Sequence, residues 1–142
     1  MEYAIKLNKT ASGEYSAECP DLGFCSSEEF ETEDEAYKFM ASAIPAVMYG
    51  HFRARQKSIP LPLTEGDDFK YIGIPVKVQA KVLLWNYMRE HEIRTGELAK
   101  ILGIAQPAAS RLTDMSKDKA SVDAVERALA AIGGRFSLAV EE

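Results

Sequence analysis

Gln106 and Ser110 stand four residues apart with Arg111 beside them, so a short helix would carry all three on one broad face. Their chemistry is that of reading base edges. A carboxamide pairs in bidentate fashion with adenine, a guanidinium with guanine, and a hydroxyl with either, while the Ala108 methyl can meet a thymine methyl. Pro107 and Asp114 complete the outward set. Thr95, Lys117 and Lys119 are suited to phosphate contacts.

Such side chains need two short helices crossing tightly. Residues 95–112, TGELAKILGIAQPAASRL, have that form. Ala99 is small enough for a close crossing. Gly103 can take the positive φ that ends the first helix. Leu98, Leu102, Ile104 and Leu112 are expected to share the core between the helices. Ala105 stands where a capping Ser or Thr would be preferred, so the second helix has no side-chain cap. The segment reads as a helix-turn-helix whose second helix enters the major groove.

The charge of the chain does not by itself favour DNA. The net charge is −5 over 142 residues. It is unevenly spread, with six Lys/Arg against ten Asp/Glu over residues 1–57 and ten against nine over residues 76–142. Any nucleic-acid site must therefore be local and lie in the second half. One such module makes few phosphate contacts, which favours a dimer.

Other chemistries find little support. No Ser/His/Asp or Cys/His set and no phosphate-cradling glycine loop is discernible, so no catalytic residue and no cofactor is expected. Cys19 and Cys25 are expected as thiols, and His51 and His91 lie in unrelated segments, which leaves no metal site. Glu14, Glu18, Asp21, Glu28, Glu29 and Glu31 could in principle gather around Mg²⁺ for nucleic-acid hydrolysis, but they read better as a solvated acidic face for a basic protein partner. The charged start Met1–Leu7 is not a secretory signal and no run is long enough to span a bilayer, so a cytoplasmic protein is expected.

The remaining elements place these residues. Tyr3, Ile5 and Leu7 alternate with polar residues and predict a strand; Tyr15, Ala17 and Cys19 predict its hairpin partner. Phe24–Phe30 predicts a third, edge strand. Thr32 to Glu35 has the form of a capping box and opens a helix running to about Arg55, which Pro45 should kink or divide. Ile59-Pro60-Leu61-Pro62 must be extended. Phe69–Ile74 predicts a short strand, Val76 to about His91 a helix, Thr95–Leu102 and Gln106–Met115 the two crossing helices, and Ser121 to about Ile132 a last helix stopped by Gly133-Gly134. Arg135–Val140 predicts a lone C-terminal strand. It needs a partner, either Phe69–Ile74 or its own copy across a two-fold axis. Ile72, Phe136, Leu138 and Val140 are accordingly the candidate dimerisation residues.

In its order of motifs the chain resembles the HicB antitoxins of toxin–antitoxin pairs. The resemblance runs through Tyr3–Leu7, Gly13-Glu14-Tyr15, Pro20-Asp21-Leu22-Gly23, Thr32–Ala36, Ile59–Pro62, Ile74-Pro75, Lys81–Leu84 and the helix-turn-helix. It implies a partial ribonuclease-H-like front domain without nuclease activity, which binds and blocks a small basic RNA-cleaving HicA toxin. It also implies a back domain that represses the operon as a dimer. Tyr15, Glu18, Asp21, Phe24 and Glu28, with the outer face of the 33–55 helix, are then the candidate toxin contacts.

The expected protein is thus α+β: a β-β-β-α domain at residues 1–64, followed by a helical helix-turn-helix domain with a C-terminal strand at 69–142. Its expected role is antitoxin and operon repressor, not enzyme. The alternative is a solitary phage or chromosomal repressor whose front domain serves another partner.

Overall fold

The computed structural model describes residues 1–142 and is α+β, with one four-stranded antiparallel sheet and five α-helices. β1 (Glu2–Lys9) and β2 (Tyr15–Cys19) form the expected hairpin, with Lys9 opposite Tyr15 and Lys6 opposite Glu18. β3 is only Phe24–Cys25, on the outer edge, supplemented by a single bridge between Tyr15 and Phe30. The polar run Ser26–Glu29 has no apolar face to hold a longer strand, and the Ser26 hydroxyl instead takes the Ala17 N–H at 3.0 Å.

α1 (Glu33–Val47) begins as its sequence dictates, with the Thr32 hydroxyl accepting the Glu35 N–H at 3.2 Å. Pro45 does not divide it. The helix continues to Val47 and then widens into a π turn, Met48–Phe52, and a 3₁₀ turn, Arg53–Arg55. Its buried stripe, Ala36, Met40, Ile44, Val47 and Met48, covers Tyr3, Ile5, Ala17 and Cys19 of the sheet. Cys19 is a buried free thiol whose pKa burial raises, and Cys25 is an exposed one.

β4 (Lys70–Gly73) corrects the expected boundary between the two units. It lies beyond residue 64, yet it pairs antiparallel with β1, Ile72 opposite Tyr3, and completes the sheet order β3-β2-β1-β4. Ile72 is 4 % exposed in the front core, so it is not available to a second copy. Pairing with β1 places Ile72 in the same core as Tyr3 and Ile5. Residues 135–142 form no strand in the single chain.

α2 (Val76–Glu90) joins the two halves. Val82 and Trp85 belong to the front core, while Ala80, Leu84 and Met88, at four-residue spacing, belong to a second core with Leu98, Leu112, Val125, Ala128 and Leu129. The proline segment is tied along α2: Asn86 accepts the Ile59 N–H at 2.8 Å and donates to the Ile59 carbonyl at 2.9 Å. Trp85 Nε1 donates to the Lys57 carbonyl at 2.8 Å. α3 (Thr95–Leu102), α4 (Gln106–Arg111) and α5 (Val122–Ala131) complete the second unit. No helix is long and apolar enough to cross a membrane.

Candidate nucleic-acid interface

The turn between α3 and α4 is built on Gly103, at φ +68°. The Gly103 N–H donates to the Lys100 carbonyl and the Ile104 N–H to the Ala99 carbonyl, at 3.2 and 3.0 Å. These two bonds form a Schellman closure, which satisfies the last carbonyls of α3 and turns the chain sharply. A side chain with a Cβ is strained at that φ. Ala99, 5 % exposed, and Ala109, fully buried, keep the crossing close. Ala105 gives α4 no side-chain cap; Pro107 instead pre-sets its first turn.

On this scaffold Gln106, Pro107 and Arg111 are exposed, as is Lys117 in the following loop. Thr95, at the start of α3, and Ala108 are half-buried. The Gln106 carboxamide lies close to Gly96, where a Cβ would come 3.7 Å from its Oε1. Two expectations need correction. Ile104 is exposed rather than part of the inter-helix core. Asp114 is buried at 8 % exposure, not outward, because α4 ends at Arg111. Its carboxylate accepts from the Ser116 backbone at 3.0 Å and from the Ser116 hydroxyl at 2.5 Å, a local turn that competes with helix continuation.

Ser110 is half-buried and engaged by the front unit. Arg53 Nη2 donates to the Ser110 hydroxyl at 3.2 Å and to the Thr113 hydroxyl at 3.1 Å, and Nε donates to Thr113 at 3.2 Å. Arg53 is 7 % exposed, and its guanidinium carbon sits 4.7 Å above the Trp85 ring. The ring face and the two hydroxyls offset the desolvation of this charge in place of a carboxylate. Nothing in the sequence marks Arg53, since its partners lie 57 and 60 residues away.

Lys81 is a second buried cation, 1 % exposed, and it holds the loop after α4. Its ammonium donates to the carbonyls of Asp114, Lys117 and Lys119 at 2.9, 2.8 and 2.5 Å. All three donors of the group are thereby used. Burial pulls its pKa below the ordinary lysine value, with Asp114 opposing that shift. A lysine on the apolar stripe of α2 was the one visible sign of this role. At the loop's outer side Lys77 pairs with Asp118 at 2.6 Å.

The candidate toxin contacts divide. Tyr15 and Glu18 on β2 and Phe24 on the edge strand β3 are half-buried, Phe24 edge-on to His51 at 6.1 Å, and Glu28 is exposed. Asp21 is not with them in role. Its carboxylate accepts the Leu63 and Thr64 N–H groups, both at 3.0 Å, and the Thr64 hydroxyl at 2.8 Å. Burial raises the Asp21 pKa, but these three bonds outweigh it and hold the carboxyl below the usual range. No three His, Cys, Asp or Glu side chains converge on a point that could hold a metal ion. Of the candidate dimerisation residues, Phe136 packs partly on the second core, while Leu138 and Val140 are 80 % and 91 % exposed.

No family profile matches the chain. Individual relatives do. Antitoxin HicB 1 of Photorhabdus laumondii is 28 % identical over 99 % of this chain and 88 % of its own length. Antitoxin HicB of Pseudomonas fluorescens is 29 % identical over 99 % of this chain and 94 % of its own. Antitoxin HicB of Escherichia coli is 29 % identical over 97 % and 98 %. Over nearly its whole length the chain is similar to HicB antitoxins. The likeness covers both units of the fold, and the relatives support an antitoxin role for the chain.

Proposed function

We propose that this chain neutralises a HicA-type RNA-cleaving toxin with its front unit and represses its own operon by binding operator DNA as a dimer. The observation that carries the DNA-binding part is the left-handed Gly103 turn, which joins two short helices while Gln106 and Arg111 stay exposed on the second. We take this pair of helices as a helix-turn-helix, with Gln106 and Arg111 reading base edges and Thr95 and Lys117 meeting phosphates. Ser110 belongs to the same face but is tied to Arg53.

The front unit, as a partial ribonuclease-H-like domain, would meet the toxin along the β2–β3 edge. Tyr15, Glu18, Phe24 and Glu28 are the contacts, and the acidic bias of residues 1–57 suits a basic partner. The dimer would form through residues 135–140. Leu138 and Val140 are apolar and open to pairing with a second copy. No residue is assigned a catalytic part.

Expression with the product of the adjacent gene, followed by purification and mass measurement, tests the partner. A stable complex without RNA cleavage is expected. A chain that purifies alone and still binds operator DNA would favour a solitary repressor. Arg111→Ala should weaken operator binding by about 1–3 kcal/mol and leave neutralisation intact. Loss of neutralisation with DNA binding retained would reverse the assignment of the two units. Phe136→Asp with Leu138→Asp should yield monomers by sedimentation; a persistent dimer would place the contact elsewhere.

A further inference from the structure

A groove of about 940 Å³ opens beside α3 and α4, and none of the residues lining it is hydrophobic. Four of those residues are cations, Arg53, Arg89, Arg94 and Lys100, against one acid, Glu97. In a chain of net charge −5 this is a local reversal of sign, the condition for attracting a polyanion. An apolar ligand would find nothing there to bury against.

The walls come from both halves of the molecule. Gln56 belongs to the front unit and is exposed at the end of the turn that carries Arg53. Arg89 is in the last turn of α2, and Arg94 is the exposed residue before α3. Gln106 and Ser110 line the same groove, so it is continuous with the face that carries the base-reading residues. Arg53 uses Nε and Nη2 to hold Thr113 and Ser110, which sets the front-unit wall against α4.

We infer that this groove seats the sugar–phosphate backbone of the DNA strand flanking the bases read by α4, with Arg89 and Arg94 on phosphates and Gln56 contributing from the front unit. This rests on the operator-binding reading above. Guanidinium groups suit the role because they meet phosphate oxygens through paired, charge-assisted hydrogen bonds. Contacts of this kind fix the position of the duplex and add affinity, but they carry no sequence information. The front unit is then part of the DNA-binding surface as well as the grip on a toxin.

The test uses the full chain and two duplexes, one from the region upstream of its own gene and one unrelated. Binding is followed by fluorescence anisotropy over a salt series. For Arg89→Ala with Arg94→Ala, both duplexes should weaken in parallel. Two lost phosphate contacts reduce the salt slope by about 1.8, so between about 50 and about 200 mM salt the unmodified chain should lose about tenfold more affinity than the variant. Gln56→Glu, which sets a negative charge at an exposed point of the wall, should weaken both duplexes without altering the melting curve. A double variant with unchanged affinity and slope overturns the inference and leaves operator binding standing. A loss of sequence discrimination at unchanged slope also overturns it, by placing the arginines on bases. Unchanged binding in Gln56→Glu removes the front unit from the surface. An unmodified chain that binds neither duplex overturns the operator reading itself.

Discussion

The front core holds sixteen buried residues and the back core eight, and the two share one helix. The front unit has a sheet closed on a long helix. The back unit has three short helices whose apolar residues cannot all be covered without α2. A core of eight is small for an independent domain, so the back unit depends on a helix whose other face belongs to the front. Met115, from the loop after α4, even lies in the front core. α4 is therefore fixed against the front unit, through Trp85, Arg53 and Met115.

If that comparison holds, the largest effect should come from Trp85→Ala, at about 3–5 kcal/mol. Both units should then melt together, seen as coincident loss of far-ultraviolet signal and of amide protection in β1 and α5. Two separate transitions would show that the back unit stands alone. Next in size is Lys81→Met, which keeps the stem but leaves three carbonyls without their donor. About 2–3 kcal/mol is expected. The loss should be local, with amide exchange speeding at residues 114–119 while β1 and β2 keep their protection. Uniform loss across both units would mean that Lys81 supports more than the loop.

Asp21→Asn sharpens the comparison from the front side. The carboxylate clamps the chain at Leu63 and Thr64, just before it returns to the sheet as β4. The site is partly exposed, so about 1–2 kcal/mol is expected. The folded pKa lies below the ordinary 3.8, so the clamp's contribution is fully present above that value. It is lost as pH falls through the folded pKa. Denaturant melts of the two proteins should differ at neutral pH and converge below pH 3.8; a constant gap would mean the charge is not what holds residues 63–64.

Local elements were legible in the sequence because their causes are local. The β1–β2 alternation, the Thr32 cap, the Gly103 turn and the start of α4 at Gln106-Pro107 each depend on a few adjacent residues. What was not legible depends on distance. β4 was readable as a strand, but its partner β1 lies some seventy residues earlier, and nothing in Lys70–Gly73 names it. The end of α4 was missed because Asp114 looks outward on a helical wheel, while its own side chain and Lys81 draw the backbone into a turn. Asp21 looked like part of an acidic face because its partners, Leu63 and Thr64, are more than forty residues away. Pro45 is expected to kink or divide α1, yet the helix runs undivided to Val47 with Ala36, Met40 and Ile44 buried in the front core, and that burial outweighs one missing hydrogen bond.

Ser110→Ala carries the smallest expected change and separates two roles that the sequence alone could not tell apart. Removing the hydroxyl deletes one acceptor of Arg53, but Thr113 keeps both of its bonds to that guanidinium. Stability should fall by about 0.5–1 kcal/mol, the usual net worth of one hydrogen bond. Were Ser110 a base-reading residue, the same change would cost about 1–3 kcal/mol at one base pair and relax preference there. With Ser110 held by Arg53, operator and non-operator duplexes should instead weaken equally, if at all. The measurement is a set of single-base operator variants titrated against both proteins, with thermal melts alongside. Lost discrimination at a single position with an unchanged melt would mean that Arg53 releases Ser110 on DNA, and that the front unit holds the reading helix less firmly than the free chain implies.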